Sequence, residues 1–310
     1  MIFKKVFMKK VLVLYYSQTG QLQKVVNQFI SKLGDEEISI DIKKIQPQTP
    51  YPFPWPFYHF FDEFPESVLM NGCPIKPLEN LQDDYDMIIL GYTVWYMAPS
   101  IPVTAFLQST QAKQIFKGKP VVTLVTCRDM WVLAQEKVKK MLTNLDARLM
   151  DHVALTDQGG SVLSLVTLPR FLWTGKKDSF IFFPPAGIKK DEIKNCQRFG
   201  ERLNKALKAD LEKGEEAMLR NLGAVNVDGK LIATEKIADR SFQIWSRFIK
   251  LGGKKGSLGR KFTISIYVFF LLALILSVIP LNVIFRKIVS LFQEKEIKAM
   301  EILYELPSGR

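Results

Sequence analysis

The chain has 310 residues, 47% hydrophobic and 24% charged, a balance that excludes disordered, collagen-like and coiled-coil classes. Lys and Arg number 43 against 31 Asp and Glu, a net charge of +12. Cys73, Cys127 and Cys196 have unrelated spacing, and His59 and His152 are the only histidines, so neither a disulfide framework nor a metal centre is expected. A reducing compartment fits that cysteine usage.

In chain order, Val11-Leu12-Val13-Leu14-Tyr15-Tyr16 is continuously apolar and predicts a strand buried on both faces. It is too short for the apolar stretch of a signal peptide, and Ser17-Gln18-Thr19-Gly20 is not a cleavage region. Leu22, Val25, Val26, Phe29 and Ile30 recur at helical spacing over 21–33, which closes at Gly34. Residues 38–45 alternate apolar and polar, as an outer strand does. Residues 87–90, 121–125 and 147–155 supply three more strands, with helices over 101–109, 131–145 and 191 to about 219. This alternation across 9–211 predicts an α/β domain, a doubly wound five-stranded parallel sheet of the flavodoxin type.

Two apolar insertions interrupt that domain, at 47–80 and 160–188. Residues 51–64 of the first carry eight aromatics among repeated prolines, which predict a stiff, extended surface segment in need of cover. The second, with Pro169, Phe171, Trp173 and Phe180-Ile181-Phe182-Phe183, is similarly apolar. Two such flaps suggest a hydrophobic substrate tunnel, and padding of the sheet is the plainer reading.

Past 211 the composition changes. Residues 212–261 form a basic linker or helical region in which Arg247, Lys250, Lys254, Lys255, Arg260 and Lys261 crowd before an uncharged run at 262–285. Twenty-four residues of helix can cross about 30 Å of hydrocarbon, so 262–285 is expected to associate with a membrane. The basic cluster on its domain side places the protein at the cytoplasmic face of the inner membrane. Pro280 and Asn282 could bend the chain back, leaving both a spanning segment and one lying in a single leaflet open. Residues 286–310 read as an amphipathic tail. Nucleic acid is not expected, because no reader motif or aromatic–basic interleaving accompanies the charge.

Ligands of a doubly wound sheet bind outside the carboxyl ends of its strands. The loops that matter are therefore 17–22, 93–100, 127–131 and 156–161. Ser17, Gln18, Thr19, Gly20, Gln21 and Leu22 join the first strand to the first helix as an anion cradle without a lysine. That loop resembles the first loop of flavodoxin-like FMN-binding proteins, which has hydroxyl–x–Thr–Gly–x–hydroxyl around the ribityl phosphate. Leu22 lacks the last hydroxyl. By the same resemblance Thr93, Val94, Trp95, Tyr96 and Met97 pass beside the isoalloxazine ring. Cys127 and Trp131 bound the loop after the fourth strand, with Arg128 and Asp129 between them.

Several motifs together resemble the dialkylresorcinol condensing enzyme family over about residues 8–210. They are Tyr16-Ser-Gln-Thr-Gly-Gln-Leu22, Tyr51-Pro-Phe-Pro-Trp-Pro-Phe57, Pro99-Ser-Ile-Pro-Val-Thr-Ala-Phe-Leu107, Cys127-Arg-Asp-Met-Trp131, Leu155-Thr-Asp-Gln-Gly159 and the Pro169–Lys177 region with its Trp-Thr-Gly-Lys core. The resemblance implies FMN, a partner ketosynthase and a product class of aryl-polyene pigment lipids. Condensation itself wants an acylated cysteine with histidines, which this chain does not supply. Oxidation of a long-chain 2,5-dialkylcyclohexane-1,3-dione to the resorcinol fits better, with Tyr96, Arg128 and Asp129 as catalytic candidates. The rivals are a membrane-associated FMN-dependent NAD(P)H or quinone oxidoreductase and a non-catalytic electron carrier. A carrier should leave its flavin edge open, whereas an enzyme should roof it with residues 51–64.

Overall fold

Residues 8–82, 84–292 and 294–309 are described in a computed structural model; the side chains of Val162 and 278–294 lie outside the description. The elements run β1 (Lys9–Tyr15), α1 (Gln21–Ile30), β2 (Ile38–Lys44), α2 (Phe57–Asp62), α3 (Phe64–Val68), β3 (Met87–Trp95) and β4 (Ala98–Pro99). Then come α4 (Ile101–Leu107), α5 (Thr110–Phe116), β5 (Pro120–Cys127), α6 (Val132–Asn144), β6 (Arg148–Thr156), α7 (Gly160–Thr174), α8 (Lys190–Asn195) and α9 (Gln197–Lys208). The C-terminal part is α10 (Gly229–Leu251), α11 (Leu258–Phe292) and α12 (Glu294–Glu305).

The sheet order is β2-β1-β3-β5-β6 with every neighbour parallel, so the winding reverses between β1 and β3. The expected flavodoxin-like α/β fold is present. Its central strands are the continuous apolar runs because helices cover both faces of a parallel sheet. Val11, Leu12, Val13, Leu14, Ile88, Ile89, Leu90, Val121 and Val122 are all buried. A short strand that the sequence did not suggest, β4, folds back antiparallel on the end of β3.

Two sequence expectations change. The helix drawn from 191 to about 219 stops at Lys208, where Asp210 takes φ 57 and the chain leaves the helix. Residues 214–228 then run along β6, with Ala154 N donating to Ala224 O and Met218 N and Leu219 N donating to the Asp151 carboxylate. Edge strand β6 leaves groups that need such cover. The segment 51–64, expected extended, contains α2 and the start of α3; Pro56 precedes α2 and Pro65 sits in the first turn of α3, positions where proline is tolerated. The second insertion is largely helix α7, which continues through Pro169. The basic linker holds α10, whose Asp228 carboxylate accepts from Lys230 N at its start.

α11 folds back antiparallel on α10. Thr263 Oγ1 reaches Ile249 O at 3.3 Å, and Trp245 stacks near Tyr267 and Phe270 at 5.4 and 4.7 Å. This pair seals a second apolar cluster, Phe61, Phe64, Val68, Ile249, Ile264 and Tyr267, against α2 and α3. Within it Arg260 is buried, its Nε 2.6 Å from Asp62 Oδ1 and its NH1 3.1 Å from Glu66 Oε1, while NH2 reaches Glu66 Oε2 and Asp62 O. Lys255 pairs with Glu63 at 2.6 Å. Two of the six clustered cations therefore serve the fold itself. Within the described residues, Leu258–Ser277 is one helical stretch long and apolar enough to cross a membrane, and most of it is not buried.

Candidate functional site

At the end of β1 the chain turns through Ser17-Gln18-Thr19-Gly20 into α1. Gly20 has φ 78, a left-handed conformation that glycine adopts without strain, and a Cβ placed there meets nothing within 4 Å. The space above the α1 amino terminus is open. Around it, among the described residues, the Ser17 and Thr19 hydroxyls make only long contacts of 3.4 Å to backbone N–H groups of Gln23 and Gln21. Gln18 is tied by its amide to Pro52 O at 2.7 Å. Leu22 is wholly buried, so its side chain belongs to the core and only its backbone can face a ligand.

The cradle is not without a lysine. Lys177, just past α7, donates to Gln21 Oε1 at 2.7 Å. Burial lowers its pKa, with neighbouring Lys24 adding to the effect and Asp157 opposing it. Gly187 at φ 95 makes this approach possible, since a Cβ there would collide with Gln21 Oε1. Asp157 holds the segment in place: its carboxylate accepts from Gly159 N at 2.7 Å and from Gly187 N. Gln158 adds a bond from its amide to Pro185 O at 2.8 Å.

The loops after β5 and β6 meet. Asp157 N donates to Cys127 O at 3.1 Å and Arg128 O at 2.9 Å, and Arg128 NH1 donates to Ser161 O at 3.2 Å. Arg128 NH2 lies 3.0 Å from Asp129 Oδ1, which also accepts from Met130 N. Asp129 Oδ2 is buried with no hydrogen-bond partner among the described residues. An orphaned buried carboxylate oxygen of this kind is a natural acceptor for a ligand proton. Cys127 precedes Arg128 in this loop, its thiol pushed well up by burial, reinforced by Asp129 and Glu235, which disfavours the thiolate. Trp131 packs inward against His152 at 5.7 Å and does not face the loops.

After β3, Tyr96 and Met97 take φ 48 and 61 as the two central residues of the β3–β4 hairpin, which matches a mirror-image tight turn. Trp95 O accepts from Ser67 Oγ at 2.8 Å and Met97 O from Lys137 Nζ at 2.9 Å. Thr93 and Val94 are half-buried. Tyr96 turns into the second apolar cluster, where its hydroxyl donates to Phe60 O at 2.7 Å. Burial holds that hydroxyl well above its ordinary pKa. This placement does not suit the catalytic role expected of Tyr96.

The two insertions close over Trp95. Tyr51 and Trp55 approach it at 5.0 and 4.8 Å, and Tyr16 at 5.9 Å. Trp55 N donates to Leu172 O of α7 at 2.7 Å, and Phe57 packs on Trp173 at 5.0 Å. Residues 51–64 therefore form a roof, bolted to α7. Tyr51 and Trp55 fill the space against Trp95, so the phosphate end of the site is open while its ring end is occupied by the roof.

A family model described as Flavodoxin matches residues 10–157. Among solved structures, a flavoprotein in complex with FMN from Lactobacillus acidophilus is 21% identical, with 47% of this chain and 93% of that one covered at a TM-score of 0.40. A putative flavoprotein from Bacteroides eggerthii is 22% identical, covering 47% and 87% at 0.35. A flavone reductase is 10% identical, covering 67% and 66% at 0.36. No curated protein matches this chain.

Proposed function

We propose that this flavodoxin-like domain binds FMN and oxidises a lipophilic 2,5-dialkylcyclohexane-1,3-dione, delivered by a partner ketosynthase, to the aromatic resorcinol. The observation that carries the reading is the open cradle at Gly20, with the Ser17 and Thr19 hydroxyls in the same loop and the Lys177 ammonium bonded to Gln21 at its end. Three hydroxyl or ammonium groups and a helix amino terminus suit a phosphate dianion. When bound, FMN supplies acceptance of a hydride; loss of that hydride and one proton converts the dione to a resorcinol.

The remaining work belongs to the chain. Asp129 Oδ2, unpartnered and buried, takes the proton released as the dione enolises. Arg128, held between Asp129 and Ser161 O, braces the developing enolate oxygen. The aromatic roof excludes water and accepts the alkyl chains. An apolar groove of about 270 Å³ lies between α2 and α11, lined by Phe57 and Tyr58 of the roof segment and by Val268, Phe269 and Leu272. Residues 51–64 lie over Trp95 and are bolted to α7, which supports the enzyme reading over the carrier. Membrane association through α11 accounts for the groove and for a long-chain substrate together.

The purified chain is expected to carry, or take up on reconstitution, the two absorbance bands of oxidised flavin. Lys177→Met should weaken FMN binding by about 10–100-fold, the effect of one lost charge-assisted bond, as read by fluorescence titration. Asp129→Asn should retain FMN but slow dione-dependent bleaching of the flavin by about a hundredfold or more. A protein that takes up no FMN, or flavin that a dione does not bleach under anaerobic conditions, ends the reading.

A further inference from the structure

The exposed surface of the C-terminal helices is apolar in a way that no internal packing uses. Along α11, Leu258, Phe262, Ile266, Phe269, Leu272 and Leu276 fall at three- and four-residue intervals and are all exposed, Leu258 by 84% and Phe269 by 76%. The opposite face, with Arg260, Ile264 and Tyr267, is buried on α10 and α2. On α10, Ile244 and Leu251 continue the exposed apolar stripe. Arg247, Lys250, Lys254 and Lys261 flank it, exposed and outside the internal ion pairs that take Lys255 and Arg260.

Both ends of α11 are fastened to the same body. Its start is held by Arg260 on Asp62 and Glu66. Beyond its end, α12 returns: Glu301 Oε1 accepts from Gly229 N at 3.0 Å at the head of α10. The chain then lands on the sheet edge, where Ser308 Oγ donates to Asp151 Oδ1 and accepts from His152 N, each at 2.7 Å. Lys139 Nζ and Arg220 Nε reach the carbonyls of Leu306 and Pro307 at 3.3 Å. A helix that crossed the bilayer would carry α12, with Lys295, Glu296, Lys298, Glu301 and Glu305, to the far side, and could not keep these bonds. The first part of α11, through Phe270, also packs along α10.

We propose that α10 and α11 lie together in the plane of one leaflet of an anionic bilayer, so that the hydrophobic helix is a one-sided anchor and both of its ends face the cytoplasm. The exposed apolar stripes enter the acyl region to the depth of a side chain, and the four free cations meet anionic headgroups. The groove between α2 and α11 then opens into the leaflet itself, on the side from which a hydrocarbon-chained ligand would arrive. This inference rests on the membrane association included in the proposed function.

The test uses the full chain in cell-derived membranes, with Lys254→Cys before the helix and Glu296→Cys after it, both at exposed positions. Sealed vesicles of known orientation are treated with a membrane-impermeant maleimide, and labelled peptides are identified by mass spectrometry. Flotation with phosphatidylglycerol vesicles is measured in parallel. The expected result is flotation, with both cysteines labelled from the face that carries the main domain. Flotation with labelling from opposite faces overturns the one-sided anchor while sparing membrane association. Failure to float, with the protein recovered in the soluble fraction, overturns the association and the anchor together.

Discussion

Arg260→Met is expected to destabilise the chain by about 3–5 kcal/mol, the cost of removing one partner from a buried ion network. Arg260 is 2% exposed and meets both Asp62 and Glu66, whose carboxylates lie near one another and largely out of water. Without the guanidinium two anions remain buried beside the apolar cluster of Phe61, Phe64 and Tyr267. The melting temperature should fall by about 10 °C, measured in detergent or lipid by circular dichroism. The double variant Arg260→Met, Glu66→Gln should recover part of that loss, because the orphaned charge is then reduced. A drop of less than about 1 kcal/mol for the single variant would mean that water reaches the pair and the network is a surface one. Because α2 carries both Asp62 and the roof residues Phe57, Phe60 and Phe61, the same variant should also loosen the cover over Trp95.

How much of this was legible in the sequence depends on the range of the interactions concerned. β1, β3 and β5 are readable because a strand covered on both faces must be apolar throughout, so Val11 to Leu14 identify themselves without reference to anything distant. The glycine of the cradle is readable for the same reason: a left-handed turn between strand and helix asks for Gly20 whatever surrounds it. Lys177 is not readable in this way. Its partner Gln21 is 156 residues away, and only the folded second insertion brings the two together. Arg260 presented itself as one more membrane-facing cation because its partners Asp62 and Glu66 lie in an insertion that looked extended. Tyr96 lies on the loop after β3, but two successive residues at positive φ rotate it into the second apolar cluster, and nothing local announces a mirror-image turn at Tyr-Met. α10 left a signal that could have been used: Asp228 followed by Gly229 and the buried Leu231 and Ile232 is a capped helix start.

Glu235→Gln is expected to make the protein more stable at pH 8 and to leave it nearly unchanged at pH 5. Glu235 projects from α10 to the amino terminus of α6, where its carboxylate accepts from Leu133 N at 2.9 Å and Val132 N at 3.4 Å. Burial raises its pKa from 4.5 to about 7, against the pull of those two N–H groups and with Asp129 adding to the rise. The folded chain therefore keeps the proton up to about pH 7, while the unfolded chain releases it near 4.5. Between those values the unfolded state binds fewer protons, so this group lowers stability as pH rises, by about 3 kcal/mol once both forms are ionised. His152 works in the other direction: burial lowers its pKa from 6.5 to about 3, so its contribution is lost as pH falls below 6.5. The two slopes overlap in the wild-type protein, and the difference between wild type and Glu235→Gln isolates the first. Urea unfolding midpoints from pH 5 to 8 should diverge steadily between the two proteins, with the variant on the stable side. Parallel curves would mean that Glu235 ionises freely, and that α10 docks on α6 without any sensitivity to the proton on that carboxyl.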